Sequence, residues 1–125
     1  MLLVEHYVSK SPIHGLGVFI LGPVKKGSLV WAFARNFDIE IPGSLLADLT
    51  GDDAAFLWHH AEYFPDIDVF RLGNDGDMFM NHSASPSLLD FGEVMVAARD
   101  LMAGEELTCD YRTVRVLGFG GHIKA

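Results

Sequence analysis

The apolar residues of this chain fall into short runs, and glycine or proline separates most of these runs. The runs rich in aliphatic, aromatic and β-branched residues are 2–8, 17–21, 29–33, 67–72, 88–91, 93–98 and 106–111. Such runs predict short β-strands, and Ser11-Pro12 and Gly22-Pro23 are typical turn dipeptides between them. No run approaches the ~20 apolar residues that cross a bilayer, so we expect no membrane association.

The middle of the chain has a helical pattern instead. Leucines at helical spacing in residues 45–49 and the apolar residues of 54–63 predict two short helices. Asp52 or Asp53 could cap the second helix. Pro65 should end it, because proline cannot continue the hydrogen-bond ladder of a helix. The predicted fold class is therefore a mainly β (α+β) domain with a short helical insertion.

The chain has 125 residues, of which 50% are hydrophobic and 21% are charged, as is typical of one globular domain. Cys109 is the only cysteine, which excludes an internal disulfide and a cysteine-rich zinc site within one chain. A lone cysteine is typical of a reducing compartment, and no secretory signal follows Met1, so we expect a cytoplasmic protein. We expect Cys109 to be a small buried residue on a strand.

The charge of the chain is concentrated in one central segment. The net charge is −8, which argues against direct binding of nucleic acid phosphates. From Asn36 to Phe70 there are eight acids and no lysine or arginine, whereas the rest of the chain has nine acids and nine bases. This acidic segment could attract a cationic partner over a Debye length of ~8 Å, or it could simply be a solvated surface.

Two short motifs could contribute to a binding site. Gly15-Leu16-Gly17 would let a ligand lie close to the backbone, because glycine has no Cβ. This motif does not begin a dinucleotide-binding fingerprint, since the third glycine would have to stand at Ile20. The second motif is Asn81-His82-Ser83. Taken alone, each motif is as typical of a turn as of a functional site.

The order of these motifs along the chain resembles the SET-domain family of protein lysine methyltransferases. The resemblance rests on Gly15-Leu16-Gly17-Val18-Phe19, Gly27, Phe79-Met80-Asn81-His82-Ser83 and Gly104-Glu105-Glu106-Leu107-Thr108-Cys109-Asp110-Tyr111. It extends over residues 5–111 and is strongest with small stand-alone SET proteins of bacteria and large viruses. Residues 112–125 would then form a C-terminal tail without zinc-binding cysteines.

The resemblance implies a β-clip fold of small curved sheets with a C-terminal pseudoknot. It also implies that S-adenosylmethionine (SAM) is the methyl donor and that a target lysine enters from the opposite face. The implied donor-binding residues are His14, Gly15, Leu16, Gly17, Met80, Asn81, His82 and Tyr111. Asn81 would bind the amino group of the donor, and the backbone of His82 would bind its adenine.

Tyr111 is the catalytic residue that the resemblance implies, with its hydroxyl near the transferred methyl group. A lysine side chain with a pKa near 10.4 is almost wholly protonated at pH 7 and must lose a proton before it can attack. A tyrosine phenol with a usual pKa near 10 is a poor base at this pH. We therefore expect Tyr111 to orient the amine and stabilise the methyl group while water removes the proton.

The resemblance also suggests a substrate channel, but no metal. Tyr63, Phe64 and Phe119 are candidates to line the lysine channel, although Tyr63 and Phe64 could instead be core residues. Relatives often read Asn-His-Ser-Cys-x-Pro-Asn, whereas this chain has Ala84, which cannot bind zinc, and Ser87, which removes an amide expected to brace the pseudoknot. Histidines 59 and 60 should point apart on a helix, so a shared metal is not expected there.

The predicted function is methyl transfer from SAM to a lysine of a basic protein. A homodimer is compatible with an exposed Phe119. One alternative is a non-catalytic β-clip binding module whose acidic segment docks a basic partner. Another alternative, a sugar- or metabolite-binding β domain, would not bind SAM at all.

Overall fold

The computed structural model describes residues 1–112, which contain ten short β-strands and one α-helix. The strands are β1 His6–Lys10, β2 Leu16–Ile20, β3 Leu29–Ala32, β4 Ile39–Pro42, β5 Glu62–Phe64, β6 Val69–Leu72, β7 Asn81–His82, β8 Leu88–Asp90, β9 Val94–Ala97 and β10 Glu106–Cys109. The helix α1 is Gly51–His60, and 3-10 turns cover Gly43–Asp48 and Gly76–Phe79. The prediction of a mainly β domain with a short helical insertion is confirmed.

Strand β10 lies inside a four-stranded sheet with the order β1-β2-β10-β7. It pairs antiparallel with β2 and parallel with β7, so that Thr108 is opposite Asn81 and Cys109 is opposite His82. Parallel strands need a long connection, and residues 83–105 provide it. The last strand is thereby held between two earlier segments, which brings the Asn-His-Ser motif beside the C-terminal motif.

Two further sheets of three strands have the orders β3-β9-β8 and β4-β6-β5. The larger hydrophobic core includes the fully buried Val18, Ile20, Val30, Leu88 and Leu107. Cys109 is fully buried in this core on β10, as predicted. A smaller core lies beneath α1 and is formed by Leu57, Ala61, Phe70 and Leu72.

Helix α1 differs from its predicted limits at both ends. Thr50, and not Asp52 or Asp53, is the N-cap: its side-chain oxygen accepts a hydrogen bond from the backbone nitrogen of Asp53 at 3.2 Å. The helix ends at His60, five residues before Pro65. The residues that follow form β5, because pairing with β6 buries aromatic side chains that also have high strand propensity.

Other boundaries also differ. The run 2–8 is not one strand: Leu2 makes only an isolated bridge to Trp31, and β1 begins at His6. Strands β4, β5 and β7 were not predicted: β4 is a short segment that ends in Pro42, β5 continues an apolar helical pattern, and β7 has two polar residues. In the part of the chain that the structure describes, no helix has the length and apolar character needed to span a membrane.

Two of the eight acids in the acidic segment, Asp38 and Glu62, are buried. Glu40 and Asp68 are exposed and accept hydrogen bonds at the surface, from Arg71 and Tyr63 respectively. Asp38, for example, is 7% exposed and accepts a hydrogen bond from the backbone nitrogen of Ala34 at 2.8 Å. The segment therefore presents less exposed charge than its composition suggests.

Candidate functional site

A cavity of about 190 Å³ lies where the start of β2, the end of α1 and β7 come together. Its lining residues are His14, Gly15, Leu16, His59, His60, Met78, Phe79, Met80, Asn81 and Tyr111. Six of the eight residues implied for donor binding thus meet at one cavity. The other two, Gly17 and His82, do not line it. We call this space the donor-side cavity.

Asn81 is the polar centre of the donor-side cavity. Its amide nitrogen lies 3.0 Å from the carbonyl oxygen of His14 and 3.1 Å from that of Leu16. The same nitrogen lies 2.9 Å from Oε2 of Glu106. All three neighbours are acceptors, whereas an amide nitrogen has only two hydrogens to donate. The cluster can therefore accept a further N–H donor.

Glu106 is a site residue to which the sequence assigned no role. Both of its carboxylate oxygens accept from the hydroxyl of Ser11, at 2.9 and 2.8 Å, and one also accepts from Asn81. Glu106 thereby connects β10 to the loop before β2 and to β7. Its signal in the sequence was an acid at the start of a strand, within the C-terminal motif.

The two glycines of the first motif have different roles. Gly15 has φ +47°, a left-handed conformation that favours glycine, and has open space beside it. A Cβ on Gly17 would lie 2.4 Å from Oε2 of Glu106 and 3.0 Å from Cβ of Ser11. Gly15 therefore permits the turn at the cavity, and Gly17 makes room for the Glu106 carboxylate.

Tyr111 is fixed from two directions. Its hydroxyl donates a hydrogen bond to the carbonyl oxygen of Met80, and its backbone nitrogen donates to Nδ1 of His82 at 3.1 Å. Burial, followed by the charges of Cys109 and Glu106, raises the pKa of Tyr111 well above its usual value. The hydroxyl is therefore a neutral hydrogen-bond donor and not a base.

Ser87 braces β10 despite replacing the amide that the family pattern contains. It is 2% exposed, its backbone nitrogen donates to Oγ1 of Thr108 at 2.9 Å, and its Oγ accepts from the Thr108 nitrogen at 2.8 Å. Its hydroxyl also donates to the carbonyl oxygen of Glu106 at 3.0 Å. A short hydroxyl thus links the loop after β7 to β10 in place of the expected amide.

Two histidines at the end of α1 also reach the donor-side cavity. The ring centroids of His59 and His60 are 4.5 Å apart, and that of His14 lies 6.1 Å from His59. The expectation that the adjacent histidines point apart is wrong. Both residues belong to the last turn of α1, which borders the cavity, and both line it.

The described aromatic residues proposed for the lysine channel, Tyr63 and Phe64, do not line the donor-side cavity, and their role in the channel stays a prediction. Tyr63 packs edge-on against Trp58 and donates from its hydroxyl to Asp68 at 2.7 Å. Phe64 is fully buried, and the guanidinium of Arg71 lies 4.7 Å from its ring centroid. Phe119 lies outside the described residues.

A smaller cavity of about 40 Å³ adjoins the donor-side cavity, and the two share His60, Met78 and Met80. Its wall includes Asp77, which is 8% exposed and accepts a hydrogen bond from Nε1 of Trp31 at 2.7 Å. Burial, together with the neighbouring carboxyl of Asp75, raises the pKa of Asp77 to about 7. This cavity has room for ordered water beside a carboxyl group that titrates near neutrality.

A family model of the SET domain matches residues 15–112, which include both glycines, the Asn-His-Ser motif and Tyr111. The chain belongs to the SET domain family. Members of this family include SAM-dependent protein lysine methyltransferases. No curated protein matches the chain. The domain limits 5–111 and the tail 112–125 remain predictions.

Solved structures of SET proteins have the same fold as this SET domain. A Plasmodium falciparum protein provisionally named a histone methyltransferase has a TM-score of 0.61 and 17% identity, over 88% of this chain and 95% of that chain. An apo polycomb repressive complex 2 with substitutions in Ezh2 gives a TM-score of 0.71 and 15% identity, over 87% of this chain but 15% of that one.

A humanised mutant of Polycomb Repressive Complex 2 from Chaetomium thermophilum, bound to the inhibitor GSK126, gives a TM-score of 0.66. Its identity with this SET domain is 16%, over 87% of this chain and 15% of that chain. Identities this low establish a common fold, while function depends on the residues of the site itself.

Proposed function

We propose that this SET domain transfers a methyl group from SAM to the side chain of a lysine in a protein substrate. The observation that supports this proposal best is the meeting of Gly15, Asn81 and the Tyr111 hydroxyl at one cavity. These three come from three separate parts of the sequence, and each offers a contact that methyl transfer requires.

The donor-side cavity fits the amino-acid part of SAM. The acceptors around Asn81 outnumber the hydrogens of its amide, so an ammonium group would find carbonyl oxygens and a nearby Glu106 carboxylate. The volume of about 190 Å³ is below the roughly 300 Å³ or more of most small-molecule pockets. We infer that this cavity holds the amino-acid end and that the adenine lies along its rim.

The bound donor supplies an electrophilic methyl group, and the protein must align the lysine amine with it. Tyr111 can do this as a neutral hydroxyl held in place by Met80 and His82. The raised pKa of Tyr111 leaves it protonated at neutral pH, so it does not remove the proton of the lysine. Water takes this proton, and the apolar walls Met78, Phe79 and Met80 disfavour the charged ammonium form.

We propose that the substrate is a basic protein. The support is the net charge of −8 and three acids of the acidic segment, Asp48, Asp52 and Asp53, that lie exposed on and before α1. A reducing, cytoplasmic setting is part of this proposal and rests on the single buried Cys109.

Two measurements test the proposed function. Isothermal titration calorimetry should show that SAM binds with a stoichiometry of one. Mass spectrometry should show a mass increase of one or more methyl groups on a lysine peptide. Absence of SAM binding would refute the methyltransferase proposal, and binding without transfer would favour the non-catalytic module.

Two peptides test the preference for basic substrates. Both contain the same target lysine, which is flanked by arginines in one peptide and by serines in the other. Equal rates for both peptides would refute the preference for basic substrates.

A further inference from the structure

Three histidines line the donor-side cavity, and no step of the proposed methyl transfer uses their side chains. His14 comes from the loop before β2, and His59 and His60 come from the last turn of α1. The ring centroids of His14 and His59 are 6.1 Å apart, and those of His59 and His60 are 4.5 Å apart. The imidazoles therefore form one group on the side of the cavity formed by α1.

The hydrogen bond that Nδ1 of His60 makes determines whether Nε2 can donate or accept a hydrogen bond. Nδ1 of His60 lies 3.0 Å from the carbonyl oxygen of Met78, and a carbonyl only accepts, so Nδ1 carries the hydrogen. Nε2 of the neutral ring is then an acceptor and becomes a donor once the ring is protonated.

The opposite side of the cavity has the reverse polarity. There, the carbonyl oxygens of His14 and Leu16 and the carboxylate of Glu106 converge on the amide of Asn81. A free amino-acid group needs acceptors for its ammonium and donors for its carboxylate. The cavity offers acceptors on the side of β2 and β10 and basic rings on the side of α1.

We propose that His59 and His60, together with His14, bind the carboxylate of the methionine part of the donor. This inference rests on the proposed function, because it concerns the same ligand. The described titratable groups that line the cavity are the three imidazoles and the Tyr111 hydroxyl, which stays neutral, and the Glu106 carboxylate lies behind Asn81. His60 also faces the adjoining cavity, whose charged or titratable residues are Asp38, Glu62, Arg71 and Asp77. Imidazole ordinarily changes charge between pH 6 and 7.5, and Asp77 in the adjoining cavity has a pKa of about 7, so the contribution of the histidines is the part of the pH dependence that their substitution removes. Binding of the carboxylate should therefore strengthen as the pH falls through this range.

The test uses S-adenosylhomocysteine, which has the amino-acid part of SAM without its sulfonium charge, and 5′-methylthioadenosine, which has no amino-acid part. Calorimetry should compare the two ligands at pH 6.0 and pH 7.5. For the wild-type chain we expect S-adenosylhomocysteine to bind about 10-fold more tightly at pH 6.0, because protonated imidazoles donate charge-assisted hydrogen bonds to the carboxylate. The affinity for 5′-methylthioadenosine should not change.

The double variant His59→Gln/His60→Gln should lose this pH dependence for S-adenosylhomocysteine and leave the affinity for 5′-methylthioadenosine unchanged. The matched control is His6→Gln, since His6 also bonds a carbonyl through Nδ1, at 2.8 Å from Val4, but lies on β1. The control variant should behave as the wild type. Equal weakening of both ligands, or a retained pH dependence in the double variant, would overturn the inference.

A second measurement does not depend on the folding of any variant. In the wild-type chain, proton NMR titration of the histidine rings should show the midpoints of His59 and His60 moving to higher pH when S-adenosylhomocysteine is added. If the midpoints do not move when the ligand binds, the proposed role of the histidines is overturned, but the proposed function is not. Failure of the wild type to bind either ligand at any pH would instead refute the proposed function itself.

Discussion

The carboxylate of Glu106 lies 2.9 Å from the amide nitrogen of Asn81, although the two residues are 25 positions apart in the sequence. Glu106 also accepts from the hydroxyl of Ser11, 95 positions earlier. One side chain thereby joins the loop before β2, strand β7 and strand β10. Its negative charge is also suited to an ammonium group at the acceptors around Asn81, which makes Glu106 a structural and an electrostatic element of the proposed site.

Substitution Glu106→Gln should weaken binding of SAM. The variant keeps the size and the acceptor oxygen of the side chain but removes the charge, so we expect a loss of about 10-fold in affinity, or ~1.4 kcal/mol. Calorimetry measures this. Glu105→Gln is the matched control, because the carboxylate of Glu105 pairs with Arg99 at 2.7 Å and accepts from the backbone nitrogen of Met102, whereas that of Glu106 accepts from Asn81. Equal losses in both variants would contradict a specific role for Glu106.

Substitution Gly17→Ala should act through Glu106. The new Cβ would lie 2.4 Å from Oε2 of Glu106, so the carboxylate must move and lose its bonds to Ser11 and Asn81. We expect a loss of roughly 1–3 kcal/mol in the free energy of unfolding, measured by urea denaturation. The double variant Gly17→Ala/Glu106→Ala should be little worse than Glu106→Ala alone. Gly22→Ala is the control, because a Cβ at Gly22 would have open space around it. If the losses of stability from Gly17→Ala and Glu106→Ala simply add in the double variant, this mechanism is contradicted.

Substitution Tyr111→Phe should separate donor binding from turnover. Loss of the hydroxyl removes the oxygen that we expect to accept from an N–H of the amine and so orient it, and removal of one such positioned hydrogen-bonding group lowers rates by on the order of 10²-fold. The affinity for SAM should stay within about threefold of the wild type. Methylation kinetics and calorimetry measure the two quantities. Tyr7→Phe, at an exposed tyrosine stacked on Phe19, should change neither. Full activity of Tyr111→Phe would exclude a catalytic hydroxyl.

Substitution Ser87→Ala should destabilise the fold. The hydroxyl accepts from the Thr108 nitrogen and donates to the carbonyl oxygen of Glu106, and both groups would lose a buried partner. We expect a loss of about 1–3 kcal/mol in the free energy of unfolding. Ser85→Ala, at an exposed serine two positions away, should have almost no effect. Similar stabilities of the two variants would show that the brace is unimportant.

Substitution Asp77→Asn should change how stability depends on pH. The pKa of Asp77 is about 7 in the fold, above the usual value near 3.9, so the folded state binds this proton more tightly than the unfolded state. The stability that this group contributes is complete below about pH 4 and is lost as the pH rises towards 7. Its partner Asp75 has a lowered pKa, and its contribution is lost only as the pH falls below about 4.

At pH 8 we therefore expect Asp77→Asn to be more stable than the wild type by on the order of 1–3 kcal/mol, with the difference shrinking towards pH 4. The asparagine can still accept from Trp31 and donate to Asp75. Thermal denaturation across this pH range measures the difference. Asp48→Asn, at an exposed aspartate, should follow the wild type. A constant difference at every pH would contradict the proposed titration of Asp77.

Most strands could be predicted because their residues are apolar and Gly or Pro marks their ends. Strands β2, β3 and β10 begin within one residue of the predicted runs. Strand β5 could not be predicted, since Tyr63 and Phe64 continue an apolar helical pattern and become a strand only by pairing with β6. The end of α1 at His60 follows from that pairing and not from Pro65.

The sequence by itself determined the family and the identity of the residues around Gly15, Asn81 and Tyr111, because these short motifs are local and keep their order. Only the tertiary structure decided which distant groups complete the site. Glu106 reaches Asn81 because β10 lies parallel to β7, and Gly17 leaves the space for its carboxylate. His59 and His60 join the cavity because α1 ends there. Contacts between distant segments depend on strand pairing and helix ends, and a single sequence contains only their local propensities.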